Sequence, residues 1–193
     1  EEVNAALADA SRNGNELVVQ YLLDKGADVN WQSPKGATAL FSACFAFGRK
    51  GNAGILCAIE ILIRFGADVN IANNNGGTPL TALFGNEASI SLDSTAVRAT
   101  FDLTKALYRI IRMLLSAGAS IDIMHPNTHI TIMHWMCMSS LRKRIALYVL
   151  DSARERNIEH VINARDHSGR TPLMYAVMTA CQLLYDMVQN DLY

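Results

Sequence analysis

The chain has 193 residues, half of them hydrophobic, enough for one large domain with a substantial core. Charged residues make up 18% and the net charge is −1, which argues against a disordered acidic tail or a polybasic nucleic-acid binder. No apolar secretory segment opens the chain at Glu1, which reads as an excised domain or processed chain, and the most apolar window, Ile55 to Phe65, is far too short to span a bilayer.

In chain order, Ala6 to Ser11 reads as helix and Arg12-Asn13-Gly14-Asn15 as a turn. Leu17, Val18, Tyr21, Leu22 and Leu23 then form the apolar stripe of a second helix. Gly26 supplies a left-handed cap where a β-carbon costs most, Val29 begins an extended segment, and Ser33-Pro34-Lys35-Gly36 makes a turn. Thr38 is the N-cap of the next helix; in later repeats Pro79 and Pro172 follow the Thr, where their fixed φ suits a first helical turn. Gly48-Arg49-Lys50-Gly51-Asn52-Ala53-Gly54 reads as a flexible inter-helix loop; the alternative, a phosphate cradle, lacks the Gly-Lys-Ser/Thr ending and the preceding strand.

Gly26-Ala27-Asp28-Val29-Asn30 returns as Gly66-Ala67-Asp68-Val69-Asn70 and, blurred, as Gly118-Ala119-Ser120-Ile121-Asp122. A Thr-centred motif follows each at Thr38, Thr78 and Thr131, and again at Thr171. Such self-similarity marks a solenoid. Each repeat is an extended turn followed by two antiparallel helices, and no pair buries its apolar face alone, so repeats must stack. The expectation is an all-α solenoid in a single domain, 1–193, with repeats near 1–30, 31–70, 71–122, 123–163 and 164–193.

With these motifs the chain resembles the ankyrin-repeat family, whose pattern runs Asp-x-x-Gly-x-Thr-Pro-Leu-His-x-Ala-Ala, a turn, a Val- and Leu-rich helix, then Gly-Ala-Asp-Val-Asn. Asp166 to Leu173 fits the opening, Asn73 to Leu80 nearly does, and residues 14 to 30 fit the second half. The departures are informative. A standard repeat is about 33 residues, but successive Thr positions here lie 40, 53 and 40 apart (38 to 78, 78 to 131, 131 to 171). The additions fall between helices, at Phe47 to Gly54, Gly85 to Thr100, and from Ser139 with a second helix lengthened to Asn157. They are surface excursions or a set of loops on a binding edge. Leu83-Phe84 and Met136-Cys137 replace the family's paired small residues, which should push neighbouring repeats apart or change the superhelical twist. His129 stands where the family has a turn glycine.

The resemblance implies a protein-recognition module, with turn tips and inner-helix ends as its contact surface. Carried onto this sequence, the contact residues are Arg12 and Asn13; Trp31, Gln32, Pro34, Lys35, Ala37 and Phe45; Asn74, Asn75 and Asn86; Asn127, Thr128, Ile130 and Met138; and His167, Ser168, Arg170 and Met178. Trp31, Phe45 and Ile130 are the anchors if they are exposed, since large apolar groups dominate hot spots. Asn30 and Asn70 resemble asparagines that an asparaginyl hydroxylase modifies in this family in animal cells; the structural alternative is an amide satisfying backbone groups at the turn.

Other chemistry is thinly supported. His125, His129 and His134 are close in sequence, yet His134 resembles the family's structural His, and a zinc site would need Cys137 as a further ligand. A His134–Cys137 nucleophile lacks an orienting group and an oxyanion hole. Cys44, Cys57, Cys137 and Cys181, far apart and without C-x-x-C spacing, read as buried thiols in a reducing compartment. Leu141 to Arg144 with Arg154 and Arg156 is a solvated basic face or faces an acidic partner; nucleic acid is disfavoured because aromatic interleaving is absent. The expectation is therefore a non-enzymatic, intracellular scaffold or adaptor, cytoplasmic or nuclear, with no cofactor, metal or membrane. The alternatives are the ankyrin region of a transcriptional regulator and the substrate-receptor part of a larger enzyme or microbial effector.

Overall fold

The computed structural model describes residues 1–84, 103–124, 128–137, 143–178 and 180. They divide between two compact bodies, Glu1–Ser120 and Ile121–Tyr193. Among the described residues there is no β-strand.

In the first body, α1 (Glu2–Asn13) pairs with α2 (Glu16–Asp24), and α3 (Ala39–Lys50) with α4 (Ala53–Arg64). The short α5 (Pro79–Ala82) and the longer α6 (Leu103–Ser116) continue the series. Helices α1, α3 and α5 form an inner row and α2, α4 and α6 an outer one, each touching the next. Leu40, Ala43, Cys44 and Phe47 of α3 meet Ile55, Ile59 and Leu62 of α4 in the core, all almost completely buried. The repeats stack because these faces have no other way out of water.

The repeated motif terminates helices as its sequence implies. After α2, α4 and α6, Gly26, Gly66 and Gly118 take φ of 86°, 83° and 91°. In each case the next amide reaches five residues back, Ala27 to Leu22, Ala67 to Leu62 and Ala119 to Leu114, at 2.9–3.0 Å. The helices begin on threonine: Thr38 Oγ1 accepts from Phe41 N at 3.1 Å, and Thr78 forms a capping box with Thr81.

Two expectations are corrected. The stretch from Gly48 to Gly54 is not a flexible loop, because α3 continues to Lys50 and turns at Gly51. Asn52 Oδ1 then caps α4 through Ile55 N at 2.8 Å. Nor does Leu83 hold its repeat away from α3. A β-carbon on Gly48 would stand 2.6 Å from the Leu83 carbonyl oxygen, so the missing side chain admits a close backbone approach.

In the second body, α7 (Ile132–Cys137) packs on α8 (Lys143–Glu155), which is followed by a 3-10 turn at Glu159–Asn163 and by α9 over 172–178. The lengthened second helix is as the sequence suggests. Asn157 rather than glycine closes it at φ 55°, with Ile158 N bonded back to Ala153 O at 3.0 Å. The insertion 85–100 and residues 139–142 lie outside the described residues.

Candidate functional site: turn tips and inner-helix face

Three described tips share one backbone form. Ser33, Asn73 and Asp166 each donate their amide N–H to the carbonyl of the residue four on, and each accepts through its carbonyl from the glycine three on, at 2.7–3.0 Å. Their side chains complete the loop. Ser33 Oγ accepts from Ala37 N, Asn73 Oδ1 from Asn75 N and Gly77 N, and Asp166 Oδ1 from Ser168 N and Arg170 N.

In the first body, side-chain amides bolt one tip to the next. Asn74 donates its Nδ2–H to the Pro34 carbonyl at 3.0 Å and its backbone N–H to the Lys35 carbonyl at 3.1 Å. Gln32 Nε2 reaches the Ala72 carbonyl at 3.3 Å. Behind the tips runs an asparagine ladder. Asn30 Oδ1 accepts from Asp68 N at 2.7 Å and Asn70 Oδ1 from Ser120 N at 2.9 Å, while their Nδ2 groups face the Gly66 and Gly118 carbonyls. Asn4 Oδ1 plays the same part toward Asp28 N at the start of the stack. Both carried-over asparagines thus hold successive turns in register.

On the inner row, Phe41 and Phe45 stack with ring centroids 6.3 Å apart, both half-buried. A β-carbon on Gly77 would lie 3.3 Å from the Phe41 ring, so the aromatic pair begins at the foot of the Asn73 tip. Phe41 was missed in the sequence; its i, i+4 spacing from Phe45 was the available signal.

The structure joins Pro34 and Lys35 to Asn74; Gln32, Pro34, Lys35, Asn74 and Asn75 are exposed, and Trp31, Ala37 and Phe45 are half-buried. It does not bring Arg12 and Asn13 to them. α1 runs beside α3, so its end lies level with the turn at Gly51, the opposite edge, and Arg12 pairs there with Asp9. Ile130 is not an anchor: it is 5% exposed, part of the core of the second body. In that body Thr128 is half-buried, and His167, Ser168, Arg170 and Met178 are exposed. Asn86, Asn127 and Met138 lie outside the described residues, as do Arg142 and the side chains of Lys143 and Arg144.

The chemistry-bearing side chains have structural work. His134 is fully buried; its Nδ1 accepts from Thr131 N at 3.1 Å, which leaves Nε2–H to donate to the Arg170 carbonyl at 3.0 Å. Burial pushes the thiols of Cys44 and Cys137 up, and burial, the Glu16 hydrogen bond and the Glu16 and Glu60 charges do the same for Cys57, away from the thiolate a nucleophile needs. Asp166 Oδ2 accepts from Tyr175 Oη at 2.6 Å. Burial opposes its ionisation, but the Tyr175 hydroxyl and the Arg170 and Ser168 amides outweigh that and hold its carboxyl below the usual range.

A groove of about 780 Å³ opens on the outer row between Ile63 of α4 and Tyr108, Arg109, Arg112 and Met113 of α6. Arg109 on its rim is already matched by Glu60 at 2.7 Å. No helix among the described residues is long and apolar enough to cross a membrane.

Comparison with known proteins agrees with this geometry. Residues 7–90 match the family model for ankyrin repeats in three copies. Among curated proteins the chain is similar to the Ankyrin repeat and KH domain-containing protein mask-1 of Caenorhabditis elegans, at 33% identity over 81 residues. That match covers 42% of this chain and only 3% of the relative's length. With helix pairs in two rows, glycine-capped outer helices and stacked turn tips, the segment 7–90 is built as ankyrin repeats, the family its sequence matches.

Proposed function

We propose that the chain is a non-enzymatic scaffold or adaptor that grips a peptide or folded protein along its turn tips and inner-helix face. One observation carries the reading: the half-buried Phe41–Phe45 stack rises to a row of exposed tips that Asn74 and Gln32 already hold rigid. An aromatic platform supplies contact area at low conformational cost, and a pre-ordered frame loses little entropy on binding. Lys35, exposed at the tip, adds a cation whose partner contacts bear on orientation and on-rate more than on affinity.

The outer groove is the competing surface, favoured by its volume alone. The two separate by experiment, using a partner captured by affinity selection on the intact chain. Replacing Lys35 and Phe45 together by alanine should weaken that partner about tenfold or more, since desolvated aromatic anchors are worth at least about 1.4 kcal/mol. Melting temperature should stay within about 3 °C. Unchanged affinity in this variant, with loss in Arg112→Glu, would move the site to the groove.

A further inference from the structure

Two imidazoles that lie far apart in sequence meet at neighbouring turn tips of the second body. The His167 N–H donates to the Thr128 carbonyl at 2.9 Å, which sets the two tips in register. The rings of His129 and His167 then stand edge to face, with centroids 5.8 Å apart and planes at 89°. Both residues are exposed. His129 holds φ at 55°, a left-handed conformation that glycine adopts without strain and a β-carbon makes costly. The strain thus falls on the very residue whose ring faces the second imidazole.

We propose that His129 and His167 form a two-imidazole site for a borderline divalent transition ion of the zinc or nickel class, clipping the two tips together. Imidazole suits such ions, which it binds at about 2.0–2.1 Å; a tetrahedral ion sharing two rings would set their centroids roughly 5 Å apart. The observed spacing of 5.8 Å is close to that value, so the change required is a turn of the two exposed rings that brings one nitrogen of each to a common ion. The sequence alone places His125, His129 and His134 near one another and leads to an expectation of no metal, so this pairing departs from it. His134 is buried with both ring nitrogens engaged, so it has nothing left to give an ion. Among the described residues these two imidazoles have no third ligating side chain grouped with them, so the proposed site is a two-imidazole one.

Calorimetric titration of the intact, tag-free chain with nickel chloride tests this. One ion should bind per chain in the micromolar range. His129→Gly, which relaxes the backbone and so keeps the tip folded, and His167→Ala should each weaken binding by about tenfold or more. His160→Ala, removing an exposed imidazole elsewhere in the body, should leave binding unchanged. Nickel should also raise the melting temperature of the wild type but not of His129→Gly. Absence of binding, binding retained in both variants, or loss in only one of them would overturn the shared site.

Discussion

The tip headed by Asn73 and the tip headed by Asp166 close the same backbone loop with different chemistry. Both side-chain oxygens collect two amide protons at 2.8–3.0 Å, so the loop needs an acceptor of the right reach, not a particular residue. Only the carboxylate has a second acceptor oxygen, and Asp166 turns it to Tyr175, tying its tip to the following helix. The first body does the equivalent job with neutral amides that run from tip to tip. The Asn73 tip is therefore closed by a neutral amide and the Asp166 tip by a carboxylate, and of these two closures only the second answers to acid.

The two tryptophans, Trp31 and Trp135, lie one in each body, so variants retaining a single tryptophan report the two regions separately in urea unfolding. The largest contrast should come from removing the head residue. Asp166→Ala leaves two amides and a hydroxyl without a charged acceptor and should cost the second body about 2–3 kcal/mol. Asn73→Ala, losing neutral bonds, should cost the first body about 1–2 kcal/mol. Equal losses would erase the distinction.

Acid should separate the regions next. The folded-state pKa of Asp166 lies below its unfolded value, so between them the unfolded chain binds more protons and stability rises with pH. Its contribution is full above the ordinary carboxylate value of about 3.9 and fades as pH falls through the depressed value. The Trp135 signal should show this loss in the wild type, and Asp166→Asn should remove that share of it while still accepting the two amides, as Asn73 does. Identical acid profiles in the two proteins would refute the assignment. The smallest effect belongs to Tyr175→Phe, which deletes one bond and should cost the second body about 0.5–1.5 kcal/mol.

Much of this was legible in the residues. Gly26, Gly66 and Gly118 announced helix ends because only glycine enters the left-handed region cheaply, and Thr38 and Thr78 announced helix starts because their hydroxyls reach the next turn's amides. Local chemistry of that kind is complete within five residues. The misreadings came where local and distant demands look alike. Gly48 reads as loop because the stretch to Gly54 is glycine-rich, yet in the fold its missing side chain admits the Leu83 carbonyl. Ile130, a large apolar group, reads as an anchor only if exposed and equally as a core residue, and burial, which depends on what folds over it, decides for the core. Arg12 belongs to an inner-helix end, and α1 carries it to the edge away from the tips. The pairing His129–His167 depends on how successive turns register, which no local pattern carries, and Asp166–Tyr175 depends on how the tip folds back on its following helix.

The proposed gripping surface is the row of tips together with the aromatic inner row. Hydrogen exchange read by mass spectrometry, on the chain alone and with its captured partner, tests it most directly. The prediction is added protection across 31–45 and 73–78 with little change across 60–64 and 105–117. Protection confined to the latter two segments would contradict it.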